Sequence, residues 1–186
     1  MAARELFAER GFYGASLASI ATELNVTKQT LLHHFESKER LYAIVLSSIA
    51  EDYLEAMETF RRVIPDPLQR LEALILGRAS DSREEAISRR IVMRELLDNQ
   101  QRVERVKNWY LRPWLDGLTD TVMEIPAASG LERSEALALV YMLLGAASFL
   151  AVSEPTLAGM YGRREYAELE AAYPQQLRAL LQARLG

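Results

Sequence analysis

Apolar positions recur along most of this chain at helical spacing, and strand-like alternation never persists. Ala3, Leu6 and Phe7 mark one face of a first helix that should stop at Gly11. Ser16 offers an N-cap, and Leu17, Ile20, Ala21 and Leu24 follow at the i, i+3, i+4, i+7 spacing of an amphipathic helix. Asn25 tolerates a left-handed turn. Thr27 then caps a third helix with Leu31 and Phe35 on its buried face. Ser37 caps a fourth, along which Leu41, Val45, Ile49 and Tyr53 run in steps of four.

Pro65-Asp66-Pro67 is the clearest break, and proline suits the first turn of the helix that follows. Further helices are predicted over Pro67–Gly77, Ser82–Asn99 and Arg102–Ile125, the last kinked at Pro113. Ala127 to Gly130 reads as a loop. A long apolar helix over Ser134–Val152 should end at Glu154-Pro155, and a final helical region near Leu185 should be interrupted at Pro174. The predicted fold class is all-α. An N-terminal three-helix helix-turn-helix domain occupies residues 1–47, with helix 4 continuing to about 63. A C-terminal helical ligand-binding and dimerisation domain occupies residues 48–186.

Ser16 to Phe35 carries the chemistry. Two short helices around a tight turn must bury apolar residues on one side, so that the second helix stands out for a major groove. Leu17, Ile20, Leu24, Val26, Leu31 and Phe35 form the buried set. Thr27, Lys28, Gln29, Thr30, His33 and His34 form the outward set, and all can hydrogen-bond. Gln and Lys are competent readers of base edges. A helix N-terminus also offers free N–H groups to a phosphate.

These residues carry a family resemblance. Leu6-Phe7-Ala8-Glu9-Arg10-Gly11-Phe12, Ser16 to Ala21, Val26 to Phe35, and Ser37-Lys38-Glu39 occur in the order and spacing of the tetracycline-repressor (TetR) family. The first quarter of the chain resembles that family. The resemblance implies a homodimeric transcriptional repressor that releases a palindromic operator, double-stranded DNA, when a small-molecule effector binds its C-terminal domain. It implies that Lys28, Gln29 and His33 face bases, and that Ser16, Thr27, Thr30, His34 and Lys38 face phosphates. It also implies a dimer interface on the last two long helices. Gly145 and Ser148, within a small-residue stretch, together with Leu177, Leu180 and Leu181, are the candidates there. Three departures stand out. Asn25 replaces a turn glycine, and Leu32 replaces a tyrosine that touches phosphate. The first helix is short and lacks a basic arm, so the expectation is truncation or a start lying upstream.

Charge changes the picture only slightly. The net charge is −4, and the first 50 residues hold five basic and five acidic side chains, so placement must make the case for DNA. Met93, Trp109, Tyr110, Trp114, Met123, Tyr141 and Phe149 could line an apolar effector pocket. Arg90 and Arg94, four apart, could meet an anionic ligand or pair with Glu84, Glu85 or Asp98. His33-His34 does not suggest a metal site, because adjacent helical side chains diverge by about 100° and no third ligand sits at a useful spacing. No metal and no cofactor are expected. The chain has no cysteine, and no catalytic triad, paired carboxylates or phosphate loop can be assembled, so no enzyme is expected. The 17-residue apolar run from Ala136 to Val152 falls short of a comfortable membrane span and reads as a buried helix in a cytoplasmic protein. The rival reading is a small-molecule-binding or protein-interaction module on the same fold without sequence-specific DNA binding.

Overall fold

The computed structural model describes residues 2–77, 82–98 and 109–186. Those residues hold α1 (Ala2–Gly14), α2 (Leu17–Glu23), α3 (Lys28–Phe35), α4 (Lys38–Val63), α5 (Pro67–Gly77), α6 (Arg83–Asp98), α7 (Arg112–Met123), a 3-10 turn (Pro126–Ala128), α8 (Arg133–Tyr161) and α9 (Arg163–Leu185). The all-α class expected from the spacing is what forms. Packing divides the chain into two units, residues 1–52 with 82–110, and 53–81 with 111–186.

The first unit is built on short-range signals. Ser16 Oγ accepts from Ser19 N at 3.0 Å, and Ser19 Oγ accepts in return from Ser16 N, a reciprocal cap that fixes where α2 begins. Thr27 Oγ1 caps α3 through Thr30 N at 3.1 Å, and Ser37 Oγ caps α4 through Arg40 N at 3.1 Å. Asn25 takes φ 54°, the left-handed turn its side chain tolerates. Helix α1 does not stop at Gly11 as expected. It breaks there, with φ 68° and ψ 177°, and resumes to Gly14. Phe7 and Phe12 pack on Tyr42 of α4 with ring centroids 4.8 and 5.1 Å apart. Ile20, Leu31, Ile49 and Ile91 complete this core.

Two members of the expected buried set lie outside it. Leu24 is 43% exposed and Val26 is 41% exposed. Leu24 occupies the C-cap of α2, and the tight turn bonds Asn25 N to Thr22 O and Val26 N to Ala21 O, which turns both side chains toward solvent. Phe35 and Leu17 are half-buried.

The second unit packs the later half of α4 with α5, α7, α8 and α9. The Tyr53 and Trp114 rings pack with centroids 5.0 Å apart and planes tilted by 40°, and Leu71, Ile75, Leu118, Val122 and Val140 are fully buried in the same unit. A β-carbon at Gly117 would lie 2.5 Å from Met57 Cε, so any larger residue there would have to push the end of the Met57 side chain aside. Buried Arg70 on α5 donates to Ile64 O at 3.2 Å and Pro65 O at 3.4 Å, and pairs with Glu124 beyond α7. Arg133 pairs with Asp120 and Asp116 across the surface between α7 and α8, and these bonds hold its guanidinium above the ordinary arginine range.

Three proline expectations need correction. Pro113 opens α7 in its first turn and does not kink a helix already under way; residues 99–108 of that predicted helix lie outside the described residues. Pro155 does not end α8, which runs on to Gly162, where φ 85° terminates it and the glycine N–H bonds Ala158 O. Pro174 does not interrupt α9, whose Leu177, Leu181 and Leu185 form a buried stripe at four-residue steps. In both long helices tertiary packing outweighs one lost backbone bond.

Helix α8 also departs from the buried helix expected of its apolar run. Ala136, Val140, Leu143, Ala147 and Ser148 face inward, while Leu137, Tyr141, Met142 and Phe149 are exposed. By length and composition it is long and apolar enough to cross a membrane. Its spacing buries one face and leaves the other uncovered.

Candidate nucleic-acid interface

Helix α3 is held from behind by a single fully buried side chain, Leu31, with half-buried Phe35 one turn on. Thr27, Lys28, Gln29 and Thr30 are exposed across its first turn, and His33 and His34 continue the exposed surface with rings 5.5 Å apart. The caps fix the polar groups. Thr27 Oγ1 lies 2.8 Å from Thr30 Oγ1, so the two hydroxyls share a hydrogen bond at the exposed start of the helix. Ser16 is exposed at the start of α2, which packs on α3. Leu32 is 37% exposed on the same helix, an apolar spot among polar neighbours.

Lys38 differs from the others. It is half-buried, its Nζ donates to Ala15 O at 3.0 Å, and it lies 4.5 Å from the centre of the Phe12 ring. Its charge is turned into the corner between α1 and α2. Sequence reasoning also missed Arg94. Expected at an anionic ligand or a carboxylate, Arg94 instead donates from Nε to Ala8 O at 3.0 Å and from its second terminal nitrogen to Glu9 O at 2.9 Å. A basic residue one helical turn from Arg90 gave no hint of a backbone partner more than 80 positions away.

Six of the seven apolar effector candidates are not drawn into one buried cluster within a unit. Met93, Trp109 and Tyr110 belong to the first unit; Met123, Tyr141 and Phe149 are exposed in the second. Trp114 is buried against Tyr53. Of the dimer candidates, Gly145 and Leu180 are exposed, whereas Ser148, Leu177 and Leu181 are buried within their own chain. Among the described residues no group of three His, Asp or Glu side chains could hold a metal ion.

A capped two-helix corner that presents an exposed polar helix face has the layout of a helix-turn-helix. Comparison with known proteins agrees. Residues 1–45 match the family model described as bacterial regulatory proteins, tetR family. The chain is 34% identical over 96 residues to the HTH-type transcriptional regulator RutR of Escherichia coli K12, covering 52% of this chain and 45% of that protein. It is 35% identical over 75 residues to the HTH-type transcriptional activator FasR of Mycolicibacterium smegmatis, covering 40% of this chain and 34% of FasR. The matched region thus spans less than half the length of these curated relatives. Among solved structures, a protein from work on the control of antibiotic production by bacterial hormones superposes with a TM-score of 0.71 at 24% identity, covering 99% of this chain and 93% of that one. Salmonella enterica GusR superposes with a TM-score of 0.62 at 21% identity, covering 99% and 91%. At those identities the structural likeness establishes the fold. The similarity to the tetR family of bacterial regulatory proteins thus rests on residues 1–45.

Proposed function

We propose that this protein is a homodimeric repressor that grips a palindromic operator through α3 and lets go when a small molecule binds its C-terminal helices. The observation that carries this reading is the polar face of α3, exposed at every position from Thr27 to Thr30 while Leu31 anchors the helix from behind. Lys28, Gln29 and His33 read bases; Ser16, Thr27, Thr30 and His34 meet phosphates and fix register. Lys38 serves them from behind by holding the Ala15 carbonyl. Residues 1–47 act as the DNA-reading part and 48–186 as the sensing and dimerising part.

Two copies associate through the uncovered face of α8, where Leu137, Tyr141, Gly145 and Phe149 recur at four-residue steps, together with exposed Leu180 of α9. A soluble chain seldom leaves so continuous an apolar stripe bare. The fold shared with a protein studied for hormone control of antibiotic production favours a small-molecule signal. Effector binding drives release only if the effector prefers a dimer state whose two recognition helices miss half-sites about 34–36 Å apart.

The test is selection of bound duplexes from a random DNA pool at near-physiological salt. An enriched palindrome is the expected result. No enrichment from a folded, dimeric sample would refute sequence-specific binding and favour a sensing or interaction module on the same fold.

A further inference from the structure

We propose that Arg94 is a positioning residue for the DNA-reading helices, closing the broken end of α1 from α6. The argument begins at Gly11. At φ 68° and ψ 177° the backbone leaves the helix, so the carbonyls of the turn before it lose their regular in-helix donors. Arg94 sets its planar fork against two of them, Ala8 O at 3.0 Å and Glu9 O at 2.9 Å. A guanidinium suits this place, since it bridges neighbouring oxygens in one plane and its charge complements the negative end of a helix dipole. Eleven residues earlier on α6, Arg83 pairs with Glu5 of α1 at 2.8 Å. Between these ties the rim of the α1–α6 contact opens into a surface groove of about 210 Å³ lined by Ala8, Glu9, Ala86, Ile87 and Arg90, while Phe7 and Ile91 are buried. Arg94 adds its directional bonds at the end of that packed face.

What they hold is the approach to the reading head. Past Gly11 the chain makes one more turn, buries Ala15 completely and reaches the Ser16 cap of α2. Lys38 holds the Ala15 carbonyl from α4 in the same manner. Two cations, one from α4 and one from α6, thus pin backbone carbonyls on either side of the Gly11 break. Loss of Arg94 frees the end of α1, and with it the angle at which α2 and α3 leave the core. Base readout, which needs that angle, should suffer more than phosphate attraction, which does not.

This inference rests on the DNA-reading role proposed above, and two measurements separate their fates. The variants are R94M, which keeps the aliphatic stem, and R94K, which keeps charge and a donor. The first measurement is hydrogen exchange in the DNA-free full chain. R94M should raise exchange at the amides of residues 12–17 by about tenfold or more, with the amides of α8 and α9 unchanged and R94K intermediate. The second is affinity for the selected palindrome and for a random duplex of equal length. R94M should lose about tenfold or more on the palindrome and about twofold or less on the random duplex, with R94K recovering part of the loss. Unchanged exchange at residues 12–17 overturns the clamp, as does an equal loss on both duplexes. If the wild-type protein prefers no palindrome, the DNA-reading role fails while the exchange result still decides whether Arg94 holds the corner.

Discussion

Replacing Lys38 by alanine separates two roles a cation at the start of α4 can play. A phosphate ligand leaves a thermodynamic signature, because each neutralised phosphate releases counterions and contributes about 0.9 to the slope of log affinity against log salt. A structural cation leaves a different one. Lys38 Nζ donates to Ala15 O at 3.0 Å and stands 4.5 Å from the centre of the Phe12 ring. A charged hydrogen bond of this kind contributes about 1.5 kcal/mol at the lower end of its range, and a partly exposed cation–π contact about 0.5–1 kcal/mol. Lys38→Ala should therefore cost about 2 kcal/mol and lower Tm by about 4–8 °C for a chain of this size. Operator affinity should fall modestly while the salt slope stays unchanged. Calorimetry and titrations of the operator at four or more salt concentrations would measure both. A slope shallower by about 0.9 with an unmoved Tm would refute this reasoning and return Lys38 to the phosphates.

Three further outcomes follow from the second unit and its exposed face. Arg70→Met strips the donor from Ile64 O and Pro65 O and leaves Glu124 unpaired, and should cost about 3 kcal/mol in denaturant melts; a loss under about 1 kcal/mol would show that these bonds are replaceable. Tyr173 donates to Ala146 O at 2.8 Å, and burial pushes its phenol above the ordinary 10.0. The unfolded phenol then ionises first, so the stability linked to it is full below that value and is lost as pH rises through the folded-state value. Tyr173→Phe should cost about 1 kcal/mol at neutral pH and flatten the decline in stability as pH rises past the ordinary phenol range; an identical decline would remove Tyr173 as its source. Phe149→Glu places a charge at a 67%-exposed position of the apolar stripe of α8 and should weaken the proposed dimer by about 100-fold in sedimentation equilibrium; a dimer of unaltered affinity would move the interface elsewhere.

The helix boundaries read correctly from the sequence share one cause. Ser16, Thr27 and Ser37 cap through bonds spanning three residues, Asn25 turns through its own backbone preference, and Pro67 opens α5 because its missing N–H has no use there. All of that energy is local, so three or four letters are enough to show it. The outward face of α3 was legible for the same reason, since period and polarity suffice to divide a helix into two sides.

The remainder depended on partners far away in the chain. Proline at 155 and at 174 carries a local signal to stop, yet burial along α8 and α9 outweighs it, and no window of sequence contains both terms. Leu24 and Val26 fit an apolar period but sit where the turn points outward. Lys38 and Arg94 look like solvent-facing charges because their acceptors are backbone carbonyls, which every residue possesses and no letter advertises. The sequence by itself determined the caps that open α2, α3 and α4 and the outward polar face of α3, since those follow from short-range bonding and period. Tertiary structure alone decided which cations face inward to pin the α1–α2 corner and which side of α8 is left bare, because both depend on surfaces that meet only after the chain has folded.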